Sequence, residues 1–444
     1  MSETSEPRPW KAAALWLAFL GPFFFASYGL ANWLAGRRAA VGSVAFGWES
    51  HIPFLAWTIL PYWSIDLFYA VSPFVCSTRR ELSVHGRRLL AAQLLCVACF
   101  LAFPLRFSFT RPAAEGLFGA LFTALAGFDK PFNQAPSLHI ALLVVLWVRY
   151  AAHLDPVGWG KTGRAILHVW FTLIAVSVLT TYQHHFLDLP TGLWAGLFCL
   201  WLIPEKPLES REPSDQPKRL RLALAYGIAG ATLALFGLLI GGWGWLLLWP
   251  AGALALVGAI YAVGDARRFH KADGRLAPPA FWLLLPYLGG AWLNSRLWTW
   301  ASPAPVALPG GLLLGRIPTR RELRASGARS LVDLVAELPV DRAGIAYRAV
   351  PLLDLLAPSP EEIAAAVAAV DELAGERPTL LCCALGYGRS ATVAAAWLLD
   401  SGHANGIDEA IDQVRRARPG IALSPAHRRQ LAAWHESRRL RDAG

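Results

Sequence analysis

Charge is scarce in this sequence: only 16% of its 444 residues are Asp, Glu, Lys or Arg, while 55% are hydrophobic and the mean hydropathy is +0.39. That balance excludes an ordinary soluble enzyme and requires contact with lipid. Cysteine is limited to six positions, and Cys76, Cys96, Cys99 and Cys199 lie in or beside apolar segments, where a thiol behaves as a small hydrophobe. No disulfide framework is implied. Cys96 and Cys99 have Cys-x-x-Cys spacing but sit inside an apolar run without partner ligands, which argues against redox or metal chemistry. Internal repeats and extended low-complexity tracts are also missing. No small-residue cleavage site follows the first apolar run after Arg8 and Lys11, so a retained first helix is expected rather than a removed signal peptide.

What is present begins with long apolar runs. Those near 12–34, 51–75, 89–105, 137–154, 165–182 and 186–203 are each long enough, or nearly so, to cross roughly 30 Å of hydrocarbon. They predict a six-helix membrane domain over 1–204. A charged, Pro-rich linker over 205–219 follows, then two further spans near 220–240 and 243–264 in an additional membrane region over 220–300. The segment Pro278–Leu293 carries Pro286 and Gly289-Gly290 and is short for a span. It reads as an interfacial or re-entrant helix edged by Trp292, Trp298 and Trp300. A net charge of +10 and a pI near 9.6 suggest nucleic acid at first sight, yet the basic residues occupy short loops between apolar runs. Topology explains them better. Arg79, Arg80, Arg87 and Arg88 in the second loop, and Lys206, Arg211, Lys218, Arg219 and Arg221 beside the sixth run, place those loops and the N-terminus in the cytoplasm.

After Pro309 the pattern changes to that of a soluble α/β domain, expected over 305–444. Strands are predicted at Leu312–Leu314, Ser330–Val335, Ala346–Val350 and Thr379–Cys383, with helices at Pro360–Ala374, Ala391–Ser401, Ile407–Arg416 and Pro425–Arg438. Ser359, Pro360, Glu361 and Glu362 form a helix start: a cap, a first-turn proline, and carboxylates at the positive end. The fold class expected is therefore a polytopic α-helical membrane domain followed by a soluble α/β domain. A thiol is safer in a reducing compartment, which favours a cytoplasmic C-terminal domain on an integral protein of the inner or plasma membrane.

Thr379–Arg389 reads T-L-L-C-C-A-L-G-Y-G-R, and Ser390 then opens a helix. Strand, Gly-containing loop and helix start meet at one thiol. A phosphate dianion needs convergent N–H donors without steric bulk, and a helix N-terminus supplies donors and a favourable dipole. Gly386 and Gly388 permit the curvature, the same field favours the thiolate of Cys383, and Arg389 returns across the loop to grip two oxygens with its planar fork. The region resembles the dual-specificity branch of the protein tyrosine phosphatase family, whose signature is His-Cys-x5-Arg-Ser/Thr, over roughly 305–440. The resemblance implies a cysteine-phosphatase fold in which Cys383 forms a phosphocysteine and the amides of Ala384, Leu385, Gly386, Tyr387, Gly388 and Arg389 hold phosphate. It also implies that Ser390 assists the departing sulfur. A general acid is expected about thirty residues upstream, in Y-R-A-V-P-L-L-D-L-L, which makes Asp354 the candidate; alternatively Asp354 caps a loop or pairs with an arginine. Cys382 stands where the family has histidine. It is read as a buried strand residue, the alternative being that it captures an oxidised Cys383.

A second polar constellation lies among the apolar runs, where ionisable groups are expensive. Arg106 and Arg111-Pro112 follow the third run, F-N-Q-A-P-S-L-H precedes the fourth, and T-Y-Q-H-H-F-L-D follows the fifth. Alternation of the spans places all three on one face. Arginines, two separate histidines and a carboxylate four residues after one of them suit phosphoryl transfer through phosphohistidine. These stretches resemble the type 2 phosphatidic acid phosphatase superfamily, especially its inositol phosphorylceramide synthase-like branch, over 50–204. The resemblance implies His184 as nucleophile oriented by Asp188, His139 as acid, and Ser137, Arg106 and Arg111 as phosphate ligands. His185, three rather than four residues from Asp188, is read as a neighbour. The departures are Pro104 in place of a lysine, Leu138 where many members have glycine, and no Ser-Arg before the third motif. The alternative is that these histidines and Asp188 only stabilise helix packing.

The function expected is a membrane-bound phosphatase hydrolysing phosphate monoesters of a lipid head group or a phosphoprotein, with a second lipid phosphatase or head-group transferase site. The competing readings are a protein phosphatase anchored by an inactive membrane domain, and a catalytically dead phosphate-binding scaffold. No metal or other cofactor is implied, since arginines manage phosphate charge in both sites. Membrane lipids are the expected partners, and nucleic acid is not.

Overall fold

The structure is a computed structural model, and it describes residues 7–157, 160–206, 217–373 and 378–442. The chain divides into two compact units, Met1–Pro207 and Leu208–Gly444. Most of the expected charged linker, with Arg211, lies outside the described residues, as does Ala374 at the expected end of a helix.

The first unit is helical: α1 Trp10–Gly36, α2 Ile59–Val71, α3 Arg79–Ala102, α4 Gly116–Phe128, α5 Leu138–Val157, α6 Gly160–Thr180 and α7 Asp188–Leu202. Two expectations need correction. The run at 51–75 is not one span: short 3-10 turns at Gly47–His51 and Ala56–Thr58 precede α2, which has 13 residues, with Pro53 before it, Pro61 in its first turn and Pro73 just past its end. The third helix starts at Arg79, ten residues before the expected 89. Thr78 caps it by accepting from Glu81 N at 3.1 Å, and Arg88 pairs with Glu205 at 3.0 Å and donates to Ile203 O, so its charged first turns have partners. The apolar helix α4 was not anticipated. The start of α5 and helix α7 approach backbone to backbone, since a Cβ on Gly192 would stand 2.6 Å from Ser137 O. That contact holds the Ser137 and Asp188 ends of the two helices together.

The second unit begins with α8 Pro217–Ile240 and α9 Leu248–Val263, then the hairpin β1 Lys271–Ala272 and β2 Arg275–Leu276, then α10 Pro278–Trp298. Helix α10 continues through Pro286 and past Leu293, the limit set by sequence, because its last turns have a packing surface: Ala291 joins an apolar cluster with Leu331, Val335 and Leu380, and Ser295 is buried. Among all described helices, α1, α3, α6, α8 and the segment Gly242–Val263 containing α9 are long and apolar enough to cross a membrane.

The α/β part comprises β3 Val306–Leu308, β4 Leu312–Arg316, α11 Arg320–Ala325, β5 Ser330–Val335, β6 Ala346–Leu352, α12 Pro360–Glu372, β7 Thr379–Cys383, α13 Arg389–Asp400, α14 Ile407–Ala417 and α15 Pro425–Asp442. Its sheet has the order β3-β4-β7-β5-β6, with β3 antiparallel and the other pairings parallel. The central strand β7 is buried along its whole length, as its uninterrupted apolar sequence requires. Alternation sends Cys383 into the cluster under α12–α15 and Cys382 into the cluster on the opposite face. The sequence signal at Ser359 is realised as a capping box, with Ser359 Oγ accepting from Glu362 N and Glu362 Oε2 accepting from Ser359 N.

Candidate active sites

At the C-terminal end of β7 the chain turns through 384–388 into α13. Gly386 has φ +76°, and a Cβ there would lie 2.6 Å from Gly315 C, so only glycine fits the turn. Gly386 N–H and Ser390 O–H each donate to Cys383 Sγ at 3.2 Å. Two donors are thus aimed at one sulfur. The loop is braced from outside by Ala422 N–H donating to Tyr387 O at 2.9 Å, and by Arg418, whose guanidinium donates to Leu385 O at 3.1 Å and lies over the Tyr387 ring.

Arg389 is buried and its guanidinium reaches the C-terminal ends of β5 and β6. Its Nη1 and Nη2 bond both carboxylate oxygens of Glu337, at 3.1 and 2.8 Å, Nη1 also donates to Leu352 O at 2.8 Å, and Nη2 lies 3.0 Å from Asp354 Oδ1. Nε has no protein partner. Glu337 thus occupies the Nη1–Nη2 edge of the fork and Asp354 the second hydrogen of Nη2, which leaves Nε as the unpartnered donor. Burial works against the charge, but Asp354 and Glu337 outweigh it and push the guanidinium pKa up, so Arg389 is a permanent cation. The structure thus brings Cys383, Arg389, Asp354 and Ser390 together, with Ala384, Leu385, Gly386, Tyr387 and Gly388 forming the connecting loop. Asp354 pairs with an arginine, the alternative raised from sequence, and that arginine is Arg389, the residue expected from sequence to grip phosphate. Cys382 faces away from Cys383; burial, then the nearby Asp333, push its thiol pKa up. It is the buried strand residue that was expected.

Glu337 was missed. The available signal was a carboxylate in the otherwise apolar stretch L-V-A-E-L-P just after a buried strand, since a buried charge needs a partner. Arg418 gave no local signal.

In the first unit, His184 Nδ1 stands 3.1 Å from Asp188 Oδ2 and its Nε2 is 3.2 Å from Ser137 Oγ. The carboxylate thereby orients the imidazole and leaves Nε2 toward Ser137. His139 stacks on Tyr62 with ring centroids 4.3 Å apart, and its Nε2 has no partner. His139 and His184 line a cavity of about 240 Å³ shared with Tyr28, Tyr62, Asp66 and Asp129. Tyr28 and Tyr62 donate to the two oxygens of Asp129, at 2.8 and 3.3 Å. Asp66 and Asp129 were missed, although Asp66 lies within an apolar run and that was its signal. Of the expected phosphate ligands only Ser137 touches His184. Arg111 is engaged with Thr181 O, Tyr182 O and the Phe122 ring, and the Arg106 side chain is exposed; neither lines the cavity. His185 has its own carboxylate, Glu49 at 2.9 Å, with Ser43 and Ser108 on its other nitrogen, in keeping with a neighbouring role.

Among the described residues no group of His, Cys, Asp and Glu is arranged to hold a metal ion. The thiol, amide loop and clamped arginine define the site class of cysteine-dependent phosphatases. Residues 332–437 match the family described as dual specificity phosphatase, catalytic domain, and the C-terminal part of this chain is such a domain. Similar solved structures include Tk-PTP in its active form, 31% identical over 30% of this chain and 98% of its own, with a TM-score of 0.28. Human DUSP28 is 22% identical over 31% and 99%, TM-score 0.28. PTPMT1 in complex with PI(5)P is 21% identical over 30% and 95%, TM-score 0.27.

Proposed function

We propose that this chain is a membrane-bound phosphatase that hydrolyses phosphate monoesters of lipid head groups at Cys383. The reading is carried by one observation: Gly386 N–H and Ser390 O–H converge on Cys383 Sγ, six residues before the buried Arg389, whose Nε has no protein partner. In the first step the thiolate attacks phosphorus, the S–P bond forms, the ester P–O bond breaks, and Asp354 in its acid form gives its proton to the leaving oxygen. Water then attacks the phosphocysteine, the Asp354 carboxylate takes the water's proton, and the S–P bond breaks. The released thiolate is stabilised by the Ser390 hydroxyl. Arg389 and the loop amides hold the equatorial oxygens throughout.

A lipid substrate is supported by the contact of catalytic loops with apolar helices inside the second unit. Tyr261, near the end of α9, donates to Asp354 O at 3.0 Å, and the Tyr387 hydroxyl reaches Trp298 O at 3.5 Å. Helices α8 and α9 as a spanning pair put the Tyr261 end, and so the acid, at the bilayer surface, with the α/β domain in the cytoplasm. A second, independent reading attaches to the first unit, where the Ser137–His184–Asp188 chain beside the cavity supports phosphoryl transfer between lipids through His184, with His139 as acid.

The test is phosphate release by the full chain in lipid nanodiscs, wild type against Cys383→Ser, from phosphatidic acid, a phosphoinositide and a phosphotyrosine peptide. Cys383-dependent release from lipid is expected. Release from the peptide alone would make the chain an anchored protein phosphatase. No release, with phosphate binding lost in Arg389→Ala, would make it a scaffold.

A further inference from the structure

Both halves of the cysteine site are held by side chains from apolar helices outside the α/β domain. On the phosphate loop, Ser295 of α10 is buried and its hydroxyl donates to Ala384 O at 2.5 Å, the carbonyl immediately after Cys383. On the acid loop, the buried Tyr261 of α9 donates to Asp354 O. The following residue, Leu355, has φ +61°, a left-handed conformation that a leucine adopts only when its surroundings impose it. The hydrogen bond to the Asp354 carbonyl is such an imposition, because it fixes the peptide joining the two residues. Tyr261 is itself locked: its ring stacks on Tyr226 of α8 at 5.5 Å, Tyr226 meets Tyr287 of α10 edge-on at 5.9 Å, and Arg219 of α8 donates to Tyr261 O at 3.0 Å. A third tie comes from the β1–β2 hairpin between α9 and α10. Lys271 is buried against Asp333 at 2.5 Å and bonds Val335 O, while Val340 N donates to Gly274 O, on the stretch leading from β5 past Glu337.

We propose that Tyr261 and Ser295 are positioning residues of the phosphatase reaction, so that α8–α10 form part of the catalytic unit and not an anchor alone. Tyr261 sets the distance at which the Asp354 carboxyl meets the leaving oxygen. Ser295 sets the tilt of the Ala384–Leu385 peptide, one of the loop amides proposed above to hold phosphate. The proposal rests on Asp354 and Cys383 acting as described above.

The two roles have different signatures, measurable on the full chain in nanodiscs. Proton donation matters for a poor leaving group and little for a good one. Tyr261→Phe should therefore lower kcat for phenyl phosphate about tenfold, the worth of one neutral hydrogen bond, and for p-nitrophenyl phosphate less than about twofold, with KM unchanged. Ser295→Ala should instead weaken competitive inhibition by inorganic phosphate about tenfold against both substrates, and Ser295→Thr should restore it. Equal losses on the two esters with Tyr261→Phe, or no loss on either, would overturn the role of Tyr261. Unchanged phosphate inhibition in Ser295→Ala would overturn that of Ser295, and this arm stands even where Tyr261→Phe fails to fold. Cys383→Ser is run beside them: turnover persisting there refutes the phosphocysteine reading itself, a result distinct from either of the others.

Discussion

At Cys383 the proposed nucleophile, the amides around it and the proposed clamp lie within the continuous stretch 379–389, whereas the groups gathered near His184 come from Tyr28, Tyr62, Asp129, Ser137 and Asp188 on separate helices and loops. The first site is built by a local device: a strand ends, a glycine turns, and a helix begins. The second depends on helix packing, down to the Gly192–Ser137 contact that holds α5 and α7 together. A site of the first kind is most sensitive to change in its own turn and in the few distant residues that hold it. One of the second kind is exposed to any substitution that shifts a helix.

The largest effects should separate the two. Cys383→Ser is expected to remove phosphocysteine turnover by several orders of magnitude, and His184→Ala to remove a separate lipid phosphoryl-transfer activity. Assay of both variants on both reactions breaks the comparison if one substitution abolishes both. Asp354→Asn should slow alkyl phosphate hydrolysis by about 10²- to 10⁴-fold and act much less on p-nitrophenyl phosphate; a uniform loss would return Asp354 to a structural role. Glu337→Gln leaves the buried Arg389 with half its countercharge, which should cost about 3 kcal/mol of stability, read as a lowered unfolding midpoint. An unchanged midpoint would mean the guanidinium finds another partner.

The smallest effect concerns His427, which bonds Ser424 at the start of α15 beside Gly388. Burial, then Lys218, hold its pKa below the ordinary 6.5. The unfolded chain therefore binds the proton more readily, so stability contributed above pH 6.5 falls as the solution is acidified. His427→Asn should reduce that acid-side loss, measured as the slope of thermal midpoint between pH 7 and 5; a slope equal to wild type removes His427 from the account.

Much of the α/β unit was legible because its signals are local. Short uninterrupted apolar strands, the Ser359 capping box and the Cys383–Arg389 spacing each act within a few residues. The helix boundaries were less legible where polar groups had distant partners: α3 begins at Arg79 because Arg88 finds Glu205 and Ile203, which hydropathy does not register. Arg106 and Arg111 look alike in sequence, yet one is exposed and the other is spent on backbone carbonyls.

The sequence by itself determined that apolar helices precede an α/β domain, and that a thiol sits between a strand and a helix start, because hydropathy, turn chemistry and capping act over short separations. Only the tertiary structure decided that Glu337 holds Arg389, that Asp129 faces the histidine cavity, and that Tyr261 and Ser295 reach the catalytic loops. Those contacts join residues 52 to 101 positions apart, and no local energetic preference encodes which distant partner a buried polar group will meet.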